Sequence, residues 1–271
     1  MKVEITEKSG DRLKFIVRGV HPSFANALRR TMMSEVPVMA IEDVVIVENS
    51  SILYDEIIAH RLGLIPLTTD LKSYSLPEEC DCGSEMGCGK CRASFTLEAE
   101  AGEEVRTVYS KDLVPQDPKI KPVSGQIPIA KLGPKQRLKL EAYARLGRGL
   151  EHAKWQATST CAYKYMPKLV LDVKRCDGCG ECVEICPRNI YERRGSKVEV
   201  VNELNCTMCM ECVKQCPIQP SPITVSWDDS AFIFNMESTG ALPPEEIVLT
   251  AVKTLTEKLS RLENMLSEKG P

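Results

Sequence analysis

Eight thiols, in "CDGCGECVEICP" from Cys176 and "CTMCMECVKQCP" from Cys206, are the side chains of this sequence best spaced to do chemistry. Both runs read C-x2-C-x2-C-x3-C-P. A cubane iron-sulfur cluster needs four soft thiolates at tetrahedral corners, and three cysteines three residues apart in a tight turn reach three irons of one cube. In two-cluster ferredoxins the fourth thiolate is the last Cys of the other run, the one followed by Pro. The spacing therefore predicts one [4Fe-4S] cluster on Cys176, Cys179, Cys182 and Cys216, and a second on Cys206, Cys209, Cys212 and Cys186. Paired zinc sites are the competing reading, but zinc knots rarely use three evenly spaced cysteines before Cys-Pro.

The chain has 13 cysteines, and the remaining five fall into a group of four and one apart. "CDCGSEMGCGKC" carries Cys80, Cys82, Cys88 and Cys91, two short pairs around a Gly-rich turn that can wrap one tetrahedral zinc ion or stand as a metal-free loop. Cys161 belongs to neither and reads as a small buried residue. Disulfides would suit a small secreted protein, whereas the opening "MKVEITEKSGDRLKF" is charged and alternating with no apolar signal segment. The expectation is a cytoplasmic chain with metal-bound thiols.

Catalytic signatures are sparse. "GRGLEH" from Gly147 ends in His where a dinucleotide fingerprint needs Gly, and reads as a loop. The three histidines, His21, His60 and His152, are scattered without the spacing of a metal site or triad. No acidic cluster resembles a magnesium site. With a formal net charge of -3, and about two further negative charges from each thiolate-bound cluster, the chain lacks the basic footprint of a nucleic-acid binder. No apolar run is long enough to cross a membrane.

A two-cluster unit needs only about residues 168–225, so the other elements of this 271-residue chain form a host. Residues 3–17 alternate around a Ser-Gly-Asp turn and predict a β-hairpin. "HPSFANALRRTMMSEVP" predicts a helix with Pro22 in its first turn and Phe24, Leu28 and Met32 on one face. β-structure resumes at "MAIEDVVIVENSS", and a second short helix is predicted in "LYDEIIAHRLGLIPL", where His60 and Arg61 are candidate surface contacts. Near the end Val248, Val252, Leu255, Leu259, Leu262 and Leu266 recur at spacings of four and three, the seam of a helix that packs on another element or another chain. Glu245 and Glu246 in its first turn, and Lys269 with Gly270, fit its start and stop.

Three blocks, "FANALRRTMMSEVPVMAIEDV", "YDEIIAHRLGLIPL" and "EHAKWQATSTCAYKYMP", closely resemble the archaeal D-type RNA polymerase subunits, a family that is the counterpart of bacterial alpha and of the eukaryotic third-largest subunit. They occur in family order across nearly the whole chain. The resemblance implies an α+β fold with a discontinuous dimerisation domain at 1–39 and 226–271, a β-rich insert domain at 40–167, and an inserted ferredoxin-like domain at 168–225. It implies pairing with the L-type subunit, a smaller alpha-like chain, through the two helices above, and assembly with further subunits including the second-largest. Catalysis would belong to the largest subunits, with this chain as their assembly platform. Eukaryotic relatives carry a four-Cys zinc loop in the region of Cys80–Cys91, although the spacing here differs. An electron-transfer component of an oxidoreductase is the alternative function, and no flavin or nicotinamide motif accompanies it.

Overall fold

A computed structural model describes residues 1–84 and 87–268; the predicted helix stop at Lys269 and Gly270 lies outside the described residues. In chain order the elements are β1 (Lys2–Ser9), β2 (Arg12–Arg18), α1 (Pro22–Ser34), β3 (Val38–Asn49), α2 (Asp55–Gly63) and β4 (Arg92–Glu100). Then come β5 (Arg106–Tyr109), β6 (Val114–Pro115), β7 (Pro128–Leu132), β8 (Arg137–Gly147) and β9 (Thr158–Leu171). The cysteine-rich stretch contributes α3 (Glu181–Ile185), β10 (Tyr191–Arg194), β11 (Lys197–Val200) and α4 (Glu211–Lys214). β12 (Ile223–Ser238) and α5 (Pro244–Glu268) close the chain. The class is α+β, and the predicted hairpin and both predicted N-terminal helices form where the sequence places them.

The chain forms two compact units. Met1–Thr6, Lys14–Ala25 and Tyr163–Phe234 make the first, and Glu7–Leu13, Asn26–Ala162 and Asn235–Pro271 the second.

The first unit holds the greater part of each strand of a four-stranded sheet of order β1-β2-β12-β9. Aromatic residues two apart on β9 and β12 share a face, as the strand period requires. Tyr163 meets Phe232 edge-on at 5.4 Å, and Phe15 stacks on Phe234 at 4.8 Å. Between β9 and β12 the chain leaves the sheet for two single-turn helices and the β10-β11 hairpin, whose register pairs Tyr191 with Val200 and Arg194 with Lys197. This stretch has a small core of its own, Ile190, Tyr191, Val198 and Ile223, completed by Cys182, Cys206 and Cys212. Thiols thus stand where a larger domain would place aliphatic side chains.

The second unit carries a sheet of order β3-β8-β4-β6 and a β5-β7 ribbon. β4 and β8 alternate strictly: Ala93, Phe95, Leu97 and Ala99, and Leu138, Leu140, Ala142 and Ala144, all turn inward. Their outward neighbours are ion-paired in register, Glu98 with Lys139 at 3.3 Å and Glu100 with Arg137 at 3.2 Å. Such exposed pairs are worth a few tenths of a kcal/mol each and fix register more than stability. α2 buries Ile58 and Leu62 in the same core. Its Arg61 is not a free surface contact, because the guanidinium donates to the Ile129 carbonyl at 2.9 Å and ties α2 to β7.

Candidate metal centres and partner face

The two cysteine runs adopt one backbone pattern twice. On either side of the second Cys the chain enters the left-handed region: Gly178 (φ +76°) and Gly180 (φ +92°) in the first run, Met208 (φ +56°) and Met210 (φ +67°) in the second. Each pair of reversals curls three thiols around one point and then opens α3 or α4. Glycine tolerates this region freely, while for other residues it costs roughly 1–2 kcal/mol apiece. The second loop is therefore the more strained of the two.

Cys176, Cys179, Cys182 and Cys216 line one cavity, with Val198, Ile218 and Ile223 around them. Cys186, Cys206, Cys209 and Cys212 line another, beside Ile190, Tyr191 and Val225. Each cavity thus gathers three thiols from one run and the last thiol of the other. Cys182, Cys206, Cys212 and Cys216 are buried, and Cys179 and Cys209 are exposed. Burial first, then the neighbouring Cys176 and Cys179, push the Cys182 thiol up to about 11. Cys80, Cys82, Cys88 and Cys91 bring their four sulfurs within 4.8 Å of one another.

A Cβ added at Gly178 would lie 2.1 Å from the Ser196 carbonyl oxygen, in the turn of the β10-β11 hairpin. Gly178→Ala is therefore expected to displace the first loop, and, if each run helps to hold one cluster as the spacing predicts, iron bound by anaerobically purified chain should fall by about half. Unchanged iron would show that the loop tolerates the side chain.

The Cys80 group has the dimensions of a single-ion site. With Zn–S bonds of about 2.3 Å, a tetrahedral tetrathiolate has S–S edges of about 3.8 Å. Here Cys80 and Cys88 are 3.7 Å apart, Cys82 and Cys91 3.9 Å, and Cys88 and Cys91 3.9 Å. Backbone N–H groups already point at the sulfurs: Cys88 N–H donates to Cys91 at 3.1 Å and Lys90 N–H to Cys88 at 3.4 Å. The Lys90 N–H pulls the Cys88 thiol down to about 7, while burial pushes the Cys91 thiol up. Cys161 belongs to none of the three groups and is buried, and burial pushes its thiol up to about 11. Two of the three histidines serve local turns, His21 bonding Ser23 and His152 accepting from the Lys154 N–H.

α5 changes character along its length. Ile247 and Ala251 are fully buried, and Val248 and Leu255 are half-buried. From Thr256 to Ser267 every residue is exposed, among them Leu259 at 67%, Leu262 at 53% and Leu266 at 67%. Val252 is exposed at 43%. The predicted seam is thus an internal packing edge in its first turns and an uncovered apolar stripe in the rest. On α1 the predicted face divides differently. Leu28 and Met32 are buried by the chain's own residues, and only Phe24 is open, at 37%. The spacing could not separate these cases, because a helix with a wide apolar stripe packs on its own domain and offers its margin to a partner. An ion pair between Lys258 and Glu35 joins α5 to the end of α1. No helix among the described residues is long and apolar enough to cross a membrane.

Residues 14–259 match the family described as the RNA polymerase Rpb3/Rpb11 dimerisation domain. The chain is 44% identical over 270 residues to the DNA-directed RNA polymerase subunit Rpo3 of Methanosphaera stadtmanae, covering 99% of each chain. The subunits of that name from Archaeoglobus fulgidus and Methanosarcina acetivorans are 42% and 41% identical, over 98% and 99% of each chain.

Proposed function

We propose, on the premise that this chain belongs to the RNA polymerase Rpb3/Rpb11 dimerisation-domain family, that it is a non-catalytic assembly platform of an archaeal DNA-directed RNA polymerase. The polymerising activity is that of the whole complex. The chain pairs with an Rpb11-type small partner, the L-type subunit, through the exposed length of α5 and the open Phe24 of α1, and the pair receives the second-largest subunit. The observation that carries this reading is the uncovered stripe of Leu259, Leu262 and Leu266 on a chain whose family match runs to residue 259. An apolar surface of that extent on a lone chain marks an interaction site. Residues 1–39 with 226–271 serve as the dimerisation part, and 40–167 as the insert part.

Residues 168–225 are a cluster-bearing insertion. Cys176, Cys179, Cys182 and Cys216 would hold one [4Fe-4S] cluster, and Cys206, Cys209, Cys212 and Cys186 the other. The shared cavities support this division. Ligation supplies folding free energy that so small an apolar core cannot, so the insertion should unfold locally without iron. The cluster role is thus structural and responsive to iron or oxygen. Cys80, Cys82, Cys88 and Cys91 would hold zinc, which the sulfur spacing supports.

The function is tested by tagging the chain in its native cells. Polymerase subunits in stoichiometric yield support the reading, whereas recovery of a dehydrogenase or hydrogenase would replace it with an electron-transfer role. Counting metal in the anaerobic preparation should give about eight iron and one zinc per chain. Cys88→Ser is expected to remove the zinc and leave the iron, and zinc retained in that variant would place it elsewhere.

A further inference from the structure

The two thiol sets sit in unlike electrostatic surroundings. The cavity of Cys176, Cys179, Cys182 and Cys216 is lined by two carboxylates, Asp177 and Glu181, and among the described residues by no cation. That of Cys186, Cys206, Cys209 and Cys212 is lined by Arg188 and by Glu211, whose carboxylate is ion-paired with Lys214 at 2.7 Å. Two further groups favour the second set. Tyr191, only 4% exposed, donates its hydroxyl to the Cys212 sulfur at 3.3 Å. Lys164 reaches in from β9, and its Nζ donates to the Leu204 carbonyl at 2.6 Å and the Cys206 carbonyl at 2.8 Å. Near the first set, Arg193 donates to the Cys179 carbonyl at 3.3 Å and is shared with the Gly195 carbonyl, while Arg175 is turned to Pro220.

Resting on the two-cluster reading above, we propose that Tyr191 and Lys164 are positioning residues that make the Cys206 set the electron-accepting one. A cluster held there would accept an electron at a higher potential than one held by the Cys176 set. Reduction carries a thiolate-bound cube from a net charge of about −2 to about −3. A hydroxyl proton aimed at a ligand sulfur and an ammonium over the adjacent loop stabilise that added charge, while carboxylates oppose it. The electron comes from an external one-electron reductant. No bond forms or breaks. Lys164 is also the tie between the Leu204–Cys206 loop and a strand of the unit's sheet, so the charge on that cluster acts on a residue of β9.

The test is a potentiometric titration with dithionite of the full chain, purified without oxygen together with its partner, followed by electron paramagnetic resonance after iron and sulfide have been counted. Two couples are expected, with Cys179→Ser altering the lower. Tyr191→Phe and Lys164→Met should each move the upper couple to lower potential and leave the lower in place, and Lys164→Arg should restore it. If Lys164→Met fails to load its cluster, Tyr191→Phe decides alone. A fully loaded Tyr191→Phe chain with the upper couple unmoved, or with the lower one shifted, overturns the proposal and leaves the two-cluster reading standing. A native chain that carries no cluster overturns both.

Discussion

Leu259→Glu is expected to abolish pairing with the small alpha-like partner while the chain itself stays folded. Leu259 is 67% exposed in the free chain, so a carboxylate there meets water and costs little before association. In the proposed pair it would be buried in the apolar seam that Leu259, Leu262 and Leu266 form. Removing an unpaired charge from water costs several kcal/mol, and about 3 kcal/mol already weakens Kd roughly a hundredfold. Leu255→Glu should be worse in a different way. Leu255 is half-buried in the isolated chain, so part of its loss would fall on folding rather than pairing. Light scattering after size exclusion, with circular dichroism as the check on folding, separates the two. Intact heterodimer with Leu259→Glu would move the interface off the second half of α5.

On the proposed two-cluster reading, Cys186→Ser is expected to disturb a cluster on Cys206, Cys209 and Cys212, and to spare one on its sequence neighbours Cys176, Cys179 and Cys182. Cys186 lines the cavity of the distant run, and Cys216 lines that of the first, so each run contributes a thiol to the other's cavity. One chain segment cannot then be removed without opening both sites. The second loop also holds Met208 and Met210 in left-handed conformations, strain that persists only where the surroundings enforce it. Losing its fourth ligand should release the loop as well as the metal. Resonance spectra of the variant report which cluster goes. Loss of the Cys176 set instead would contradict crosswise ligation.

Much of this was legible in the sequence because local rules and long-range structure agree there. Two-residue alternation around Ser9-Gly10-Asp11 specifies the first hairpin, and Pro22 with Phe24, Leu28 and Met32 specifies α1. The cysteine spacing divides the eight thiols into two sets, and each set lines one cavity. Three things were not legible, for physical reasons. Periodicity marks an apolar face without saying what covers it, so Leu28 and Met32 read like Leu259 although one pair is core and the other residue is bare. Arg61 looks like any exposed charge until the fold brings β7 to its guanidinium. Tyr191 and Lys164 carry no motif at all, since their meaning depends on a sulfur 21 residues away and on carbonyls 40 and 42 residues away. The Cys80 loop lies between: its ligand types are visible in sequence, but only the folded spacing of its sulfurs distinguishes a single-ion geometry from an open loop.

The most direct test of the platform account replaces Cys206, Cys209 and Cys212 by Ser and measures two yields separately, heterodimer with the small partner and incorporation into whole polymerase. The exposed stripe of α5 and the cluster insertion occupy different residues, Leu259–Leu266 and 168–225. Pairing should therefore persist at the level of the unaltered chain while incorporation falls sharply. Loss of pairing together with the cluster, or full incorporation without it, would contradict the account.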